Sequence, residues 1–382
     1  MRKRICIVLT TRGNYAKMRS TMEAIAGHPE LALQTVIGGA LLDPAYGDFR
    51  GAIEADGFRV DHTLDYMAQG KTLGSVTESA GRCVQGMGHI LTHLEPDFLL
   101  VIADRYEALA IALGALCHNA RIAHLEGGEV SGSIDERIRH AITKLAHVHF
   151  PANREAGDRL VRMGEHATSV HVVGTPSLDQ LARIDLDDRA SLQQFLDQRG
   201  EGGRVDAGGD YVVVSQHPVA TEYGHAGRQF DETAQAVRGL GLPVVWVLPN
   251  DEAGATDVAA PLAWLSRQGL PVVSLGSLPF AQYARLLAHA RCLIGNSSSG
   301  IREGAFLGVP TVNIGTRQQG RQRGGNVIDV GYAADEIATA GRRQIAHGRY
   351  SSDGVYGDGR SGPRIAEVLA TAWPPLDKTI AY

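Results

Sequence analysis

Short apolar runs alternate with longer helical patterns along the whole chain, the pattern of an α/β protein built on parallel sheets. In the first half, RICIVLT, LALQTVIGG, DFLLVIAD, RIAHLEGG, HVHFPAN and SVHVVGT read as strands, with RYEALAIALGALCH and IDERIRHAITKLA among the helices between them. From Arg183 to Asp210 the chain turns polar and ends in QRGEGGRVDAGGD, which reads as a linker or loop. The strand pattern then restarts with YVVVSQHP, PVVWVLPND, PVVSLGS, RCLIGNSSS and PTVNIGT. Two doubly wound, Rossmann-like domains are therefore expected, residues 1–180 and 205–360. Residues 361–382 form a C-terminal helix and tail that could pack back on the first domain.

Ligands of such sheets sit beyond the carboxyl ends of the strands. Arg12, Asp104, Glu126, His217, Asn296 and Ser297 all fall at or just after a predicted strand end. Two facing domains would bring them to one cleft.

Composition narrows the partners. At 382 residues the chain is long enough for two full cores, and 44% hydrophobic with 21% charged residues is ordinary for a globular protein. A net charge of −5 leaves no basic excess to neutralise nucleic acid. Cys6, Cys83, Cys117 and Cys292 stand far apart and read as buried free thiols, not as a zinc site or a disulfide framework. The basic start MRKRICIVLTTRGNY leads into an apolar run of only about six residues, too short for a signal peptide. No run approaches the roughly 20 apolar residues of a membrane span, so a cytoplasmic protein without membrane contact is expected.

Two stretches carry unusual charge. HLEGGEVSGSIDERIRHAITK gathers Glu126, Glu129, Asp135 and Glu136 just before and into a helix. LIGNSSSGIREGAFLGVP reads as a strand, a serine-rich turn and a helix from about Gly300 to Leu307. The free N–H groups at such a helix start, with the Ser298 and Ser299 hydroxyls, would make an anion site. There Glu303 could accept hydrogen bonds from a ribose diol. An ordinary serine cap with a first-turn acid is the plainer alternative. Downstream, NIGTRQQGRQRGGN places Arg317, Arg321 and Arg323 in one glycine-rich loop, which suits phosphate better than a merely solvated basic loop. No G-x-x-x-x-G-K-[ST] occurs, and the first strand does not lead into G-x-G-x-x-G, so P-loop and nicotinamide chemistry lack their motifs. His147 and His149 alternate in LAHVHFPAN as strand residues do, and no motif requires a metal ion.

DRYEAL, HLEGGEVSGSIDERIRHAITKLAHVHF, VVGTPSLDQL, QHPVATEYG, NSSSGIREGAFLGVPTVNIGTRQQGR and YGDGRSGPRIAEVL together resemble the UDP-N-acetylglucosamine 2-epimerase superfamily. They run in family order, and the EGGEVSGSIDERIRHAITK block resembles its hydrolysing branch. The resemblance implies a GT-B-type fold with nucleotide bound by the second domain, and no cofactor. It implies conversion of UDP-N-acetylglucosamine, or a related UDP-2-acetamido sugar, and water to UDP and an N-acetylmannosamine-type sugar, a precursor of sialic and related nonulosonic acids. A homo-oligomer, dimer or tetramer, is expected. Family members often carry R-A-[DE]-Y at the first βα turn, where this chain has TTRGNY with Asn14.

That chemistry explains a demand for acids. The hydrogen on C2 of a glycosyl nucleotide is not acidic, so inversion without nicotinamide can proceed by losing the nucleotide. One group removes the C2 proton as the C1–O bond breaks, giving a 2-acetamidoglucal. A second returns a proton from the other face, and water adds at C1. The resemblance carries these roles onto Asp104, Glu126 and Asp135. It brings Arg12 and His217 near the diphosphate as positive or switchable charge, with Arg139 contacting either a carboxylate or the diphosphate. A plain structural reading competes: Asp104 and Asp135 as helix caps, Glu126 paired with an arginine.

Overall fold

A computed structural model describes residues 2–43, 48–70, 72–102, 104–131, 135–249, 254–276 and 278–381, with the backbone alone for Arg12 and Ala220. Two compact units emerge, the first made of Met1–Val130, Ile134–Gln180 and Gly357–Tyr382, the second built on Leu181–Tyr356.

In the first unit, strands β1 (Lys3–Leu9), β2 (Leu31–Gly38), β3 (His62–Leu64), β4 (Phe98–Ile102), β5 (Arg121–Leu125) and β6 (Val148–Phe150) form one parallel sheet in the order β3-β2-β1-β4-β5-β6. In the second, β7 (Glu201–Gly202), β8 (Val212–Ser215), β9 (Val244–Val247), β10 (Val272–Leu275), β11 (Cys292–Gly295), β12 (Thr311–Ile314) and β13 (Val327–Val330) take the order β13-β12-β11-β8-β9-β10-β7. Only the two-residue β7 is antiparallel. Both parallel sheets follow the Rossmann order, in which the first and fourth strands are neighbours and ligands bind beyond their carboxyl ends. Those pairs are β1 with β4 and β8 with β11.

The strands read as continuous apolar runs because helices cover both faces of each sheet. Ile5, Ile7 and Leu9 of β1 pack with Met18, Met22 and Ile25, while Cys6 and Val8 point into a second layer with Met87, Ile90 and Ile111. In the second unit Val212, Val214 and Trp246 pack with Phe230, and Val213 and Val245 with Tyr211, Leu286 and Leu287.

Three sequence expectations give way. Cys117, which ends its helix, is exposed, while Cys6, Cys83 and Cys292 are buried. SVHVVGT forms no strand beyond an isolated bridge between Val170 and His149. His171 and Val173 donate to the carbonyls of His149 and Pro151, but Pro151 has no N–H to return a bond. The polar stretch 183–210 is not a linker. It holds the helix Arg189–Arg199, whose Leu192 and Leu196 lie one turn apart and are buried against Tyr211 and Leu286.

The helix Ser361–Thr371 returns to the first unit, where Ile365 and Leu369 join the cluster around Met18 and Met22. Asp179 receives the otherwise unpaired first N–H groups of this helix, Ser361 N at 2.8 Å and Gly362 N at 2.7 Å. Beyond the helix, Trp373 stacks under Arg121, and Lys378 reaches the buried Glu165 at 2.6 Å. Among the described residues no helix is long and apolar enough to cross a membrane.

Candidate functional site

In the first unit, Asp104 lies two residues past β4 and Glu126 one residue past β5. Register pairs Ile102 with Leu125, so the two acids leave neighbouring strands at the same edge. Asp104 does not cap the next helix, Tyr106–Cys117, which has no side-chain cap. Instead its Oδ2 accepts from Arg139, by Nε at 3.1 Å and by Nη2. Arg139 is only 1% exposed and also donates to the Glu129 carbonyl at 2.6 Å. A guanidinium so buried requires such partners. It projects from the helix Asp135–Leu145, which Asp135 itself opens, so the Asp104 contact ties that helix to the end of β4. Glu136 pairs along the same helix with His140 at 3.5 Å.

Glu126 stands with φ at +62°, a left-handed conformation unfavourable for a residue with a side chain. Its buried carboxylate accepts from Lys17 Nζ at 3.1 Å and Thr175 Oγ1 at 2.7 Å. A lysine is thus one of its cationic partners. Lys17 comes from the helix Arg12–Gly27, which Arg12 opens and Thr11 caps; the Arg12 side chain lies outside the described residues. Asn14 accepts from Thr10 Oγ1 at 2.8 Å, so the amide serves as an acceptor where relatives often carry an acid. His149 is a strand residue bonded to Glu165 at 2.9 Å.

In the second unit, His217 and Asn296 follow β8 and β11 and bond reciprocally. His217 N donates to Asn296 Oδ1 at 2.7 Å, and Asn296 Nδ2 donates to the His217 carbonyl at 2.8 Å. Burial, reinforced by the Arg317 charge, lowers the His217 pKa to about 4. The imidazole is therefore neutral at pH 7, not the cation the sequence allowed. The unfolded chain binds this proton near pH 6.5, so it holds more protons than the folded chain between about pH 6.5 and 4, and stability falls as pH drops through that window. His217→Gln is expected to flatten this part of the profile of melting temperature against pH; equal slopes in both proteins would contradict the burial.

The serine-rich turn differs from the expected helix. Ser298–Gly300 is a 3₁₀ turn, followed by a separate five-residue helix, Glu303–Leu307, opened by Glu303. Gly300, Ile301 and Arg302 spend their N–H groups within the turn, on the Ser297 and Ser298 carbonyls, so no long row of free donors remains. Ser299 Oγ contacts Tyr283 OH at 2.5 Å and Ser297 Oγ at 2.8 Å. Gly300 is a packing position: an added Cβ would sit 2.6 Å from the Thr311 methyl. Of the three arginines, Arg317 donates to the Asn296 carbonyl at 3.1 Å. Arg323 turns away to Asp329 at 2.7 Å, and its Nη1 donates to the Arg321 carbonyl.

Within each unit, then, the strand-end residues gather, Asp104 with Arg139 and His217 with Asn296 and Arg317. Lys17 and Thr175 were not singled out in the sequence, although Thr175 lies in VVGTPSLDQL; a lone lysine inside a helix and a threonine in a loop carry no spacing signal.

The family model for UDP-N-acetylglucosamine 2-epimerase matches residues 23–370. The chain is 31% identical over 371 residues to the UDP-N-acetylglucosamine 2-epimerase of Neisseria meningitidis serogroup B, covering 96% of this chain and 95% of that protein. It is 30% identical over 372 residues to the UDP-N,N'-diacetylbacillosamine 2-epimerase (hydrolyzing) of Legionella pneumophila, covering 97% and 96%. The crystal structure of the UDP-GlcNAc 2-epimerase from Neisseria meningitidis bound to UDP-GlcNAc shares the fold, with a TM-score of 0.80, 16% identity, and 97% and 100% of the two chains covered. With the family model reaching across both Rossmann-like units and relatives of 30% identity or more covering nearly the whole chain, the chain belongs to the UDP-N-acetylglucosamine 2-epimerase family.

Proposed function

We propose that the protein is a hydrolysing 2-epimerase, converting UDP-N-acetylglucosamine or a related UDP-2-acetamido sugar and water to UDP and the N-acetylmannosamine-type sugar. The observation that carries this reading is the pair Asp104 and Glu126 at the ends of adjacent strands, each held by a cation. Asp135, opening the helix that supplies Arg139, is the third acid. Carboxylates fixed on one sheet edge suit proton transfer at a carbon better than transfer to an acceptor. The resemblance of EGGEVSGSIDERIRHAITK to the hydrolysing branch and the Legionella relative's name both favour release of UDP over return of the nucleotide sugar.

In this reaction a carboxylate takes the C2 proton while the C1–O bond breaks, UDP leaves with the bonding electrons, and the C1–C2 double bond of the glucal forms. A second carboxyl group delivers a proton to the opposite face of C2, the oxygen of water bonds to C1, and the carboxylate left behind takes up the proton that the water releases. Arg12, His217 and Arg317 stabilise charge on the departing diphosphate, while Arg139 holds the Asp104 carboxylate. Asn296, Ser297, Ser298, Ser299, Gly300, Glu303 and Arg321 line the nucleotide end, with Glu303 directed to the ribose.

Incubation with UDP-N-acetylglucosamine alone tests this. Free UDP and N-acetylmannosamine are expected; UDP-N-acetylmannosamine would mark a non-hydrolysing enzyme, and no reaction without an acceptor a transferase. In heavy water the released sugar is expected to carry deuterium at C2, and unlabelled C2 would exclude elimination.

A further inference from the structure

We propose that Glu222 is a positioning residue that sets Arg317, through Thr316, for the nucleotide diphosphate. The inference rests on the reading that the strand-end loops of the second unit hold UDP.

Glu222 ends the 3₁₀ turn Ala220–Glu222, five residues after His217, half-buried beside the exposed Thr221 and Tyr223. Its Oε1 accepts from the Thr316 hydroxyl, and its Oε2 accepts from Tyr332 OH at 2.7 Å and Gln229 Nε2 at 2.6 Å. Burial opposes its charge, yet the Thr316, Tyr332 and Gln229 donors hold the carboxyl below the ordinary glutamate range. Thr316 adjoins Arg317. The Asn296 carbonyl receives both Arg317 Nη1, at 3.1 Å, and Gln318 Nε2, at 2.8 Å, while the Asn296 side chain grips the His217 backbone. The bonds close a ring: His217 to Asn296, Asn296 to Arg317, Thr316 to Glu222, and Glu222 back along the chain to His217. It fastens together the loops after β8, β11 and β12.

Gly315 makes room for this ring. Its φ is +70°, and the Tyr332 ring occupies the space of a side chain there, with Cζ and the hydroxyl oxygen both 2.2 Å from where Cβ would be. Tyr332 therefore crosses directly over the end of β12 to reach Glu222. An acid beside a diphosphate site is otherwise unfavourable, because it repels the ligand. Its three donors account for its presence: it orders the loop that carries the arginine.

That opposition supplies the test, calorimetry of UDP binding to the full chain. If Glu222 positions Arg317, Glu222→Ala weakens UDP by about tenfold, the scale of one hydrogen bond to a charged group. If it is a bystander, removing the negative charge leaves UDP binding unchanged or tighter, and the proposal falls. Arg317→Ala weakens UDP in its own right, and adding Glu222→Ala to it costs less than about twofold more, since the two effects share one path. Independent, multiplying losses would overturn the assignment. Thr316→Val combined with Tyr332→Phe removes two donors and keeps the carboxylate. It weakens UDP in the same direction, and wild-type affinity in a folded double variant would also overturn it. A wild-type protein that binds no UDP would refute the functional reading itself, whatever the Glu222 variants do.

Discussion

Asp104→Asn, Glu126→Gln and Asp135→Asn are each expected to lower overall turnover by at least about a hundredfold, the scale of lost general acid–base catalysis. The amides keep the shape of the side chains and remove the ionisable oxygen. The losses differ in kind. A variant lacking the group that takes the C2 proton neither releases UDP from the nucleotide sugar nor forms the glucal. A variant lacking only the group that returns the proton releases UDP and accumulates the glucal. Assays on UDP-sugar and on glucal plus UDP separate the two. Thermal melts are needed beside them, because Asn at 104 weakens the hold on buried Arg139, and Gln at 126 leaves Lys17 without its anion. If all three variants fold and keep near-normal rates, these acids are ion-pair scaffolding.

Gly295→Ala is expected to destabilise the second unit by about 3 kcal/mol or more, within the range of strained backbone and core overpacking. Gly295 ends β11 with φ at +140°, and an added Cβ would lie 2.1 Å from the Ser215 carbonyl oxygen. That oxygen also receives the N–H groups of Asn296 and Ser297. The methyl group would thus collide with backbone, not with a side chain able to turn, and it would pry β8 from β11 where His217 and Asn296 meet. A lower melting temperature and a matching loss of UDP binding are expected. Gly325→Ala, with no heavy atom within 4 Å of the added Cβ, is the comparison and should change stability by less than about 0.5 kcal/mol. Equal effects at the two positions would refute the argument.

How legible all this was depended on the kind of signal. Strands buried on both faces, such as β4 and β8, stood out as apolar runs, and the two Rossmann-like units followed from their alternation with helices. β3, β7 and β13 did not register: β3 and β7 have three and two residues, and β7 and β13 are exposed or half-buried, so none shows a continuous buried apolar run. The helix Arg189–Arg199 was hidden because Leu192 and Leu196 anchor it within otherwise polar sequence. The strand-end positions of Asp104, Glu126, His217 and Asn296 could be read from pattern. Arg139 was already a candidate carboxylate partner there, and the structure sets it on Asp104; the other partners could not be read. Lys17 meets Glu126 across 109 positions of sequence, and Glu222 meets Thr316 across 94, contacts that only the sheet topology creates.

The helix Ser361–Thr371 has a consequence for the order in which the protein is made. Ile365 and Leu369 complete the layer over Met18 and Met22, yet they are translated after the whole of Leu181–Tyr356. On the ribosome the second unit, continuous in sequence, can close its core first. The first must wait, its apolar layer open, until the chain returns. A nascent chain halted after Tyr356 should therefore expose Met18, Met22 and Ile25 to chaperones while its second unit already resists protease.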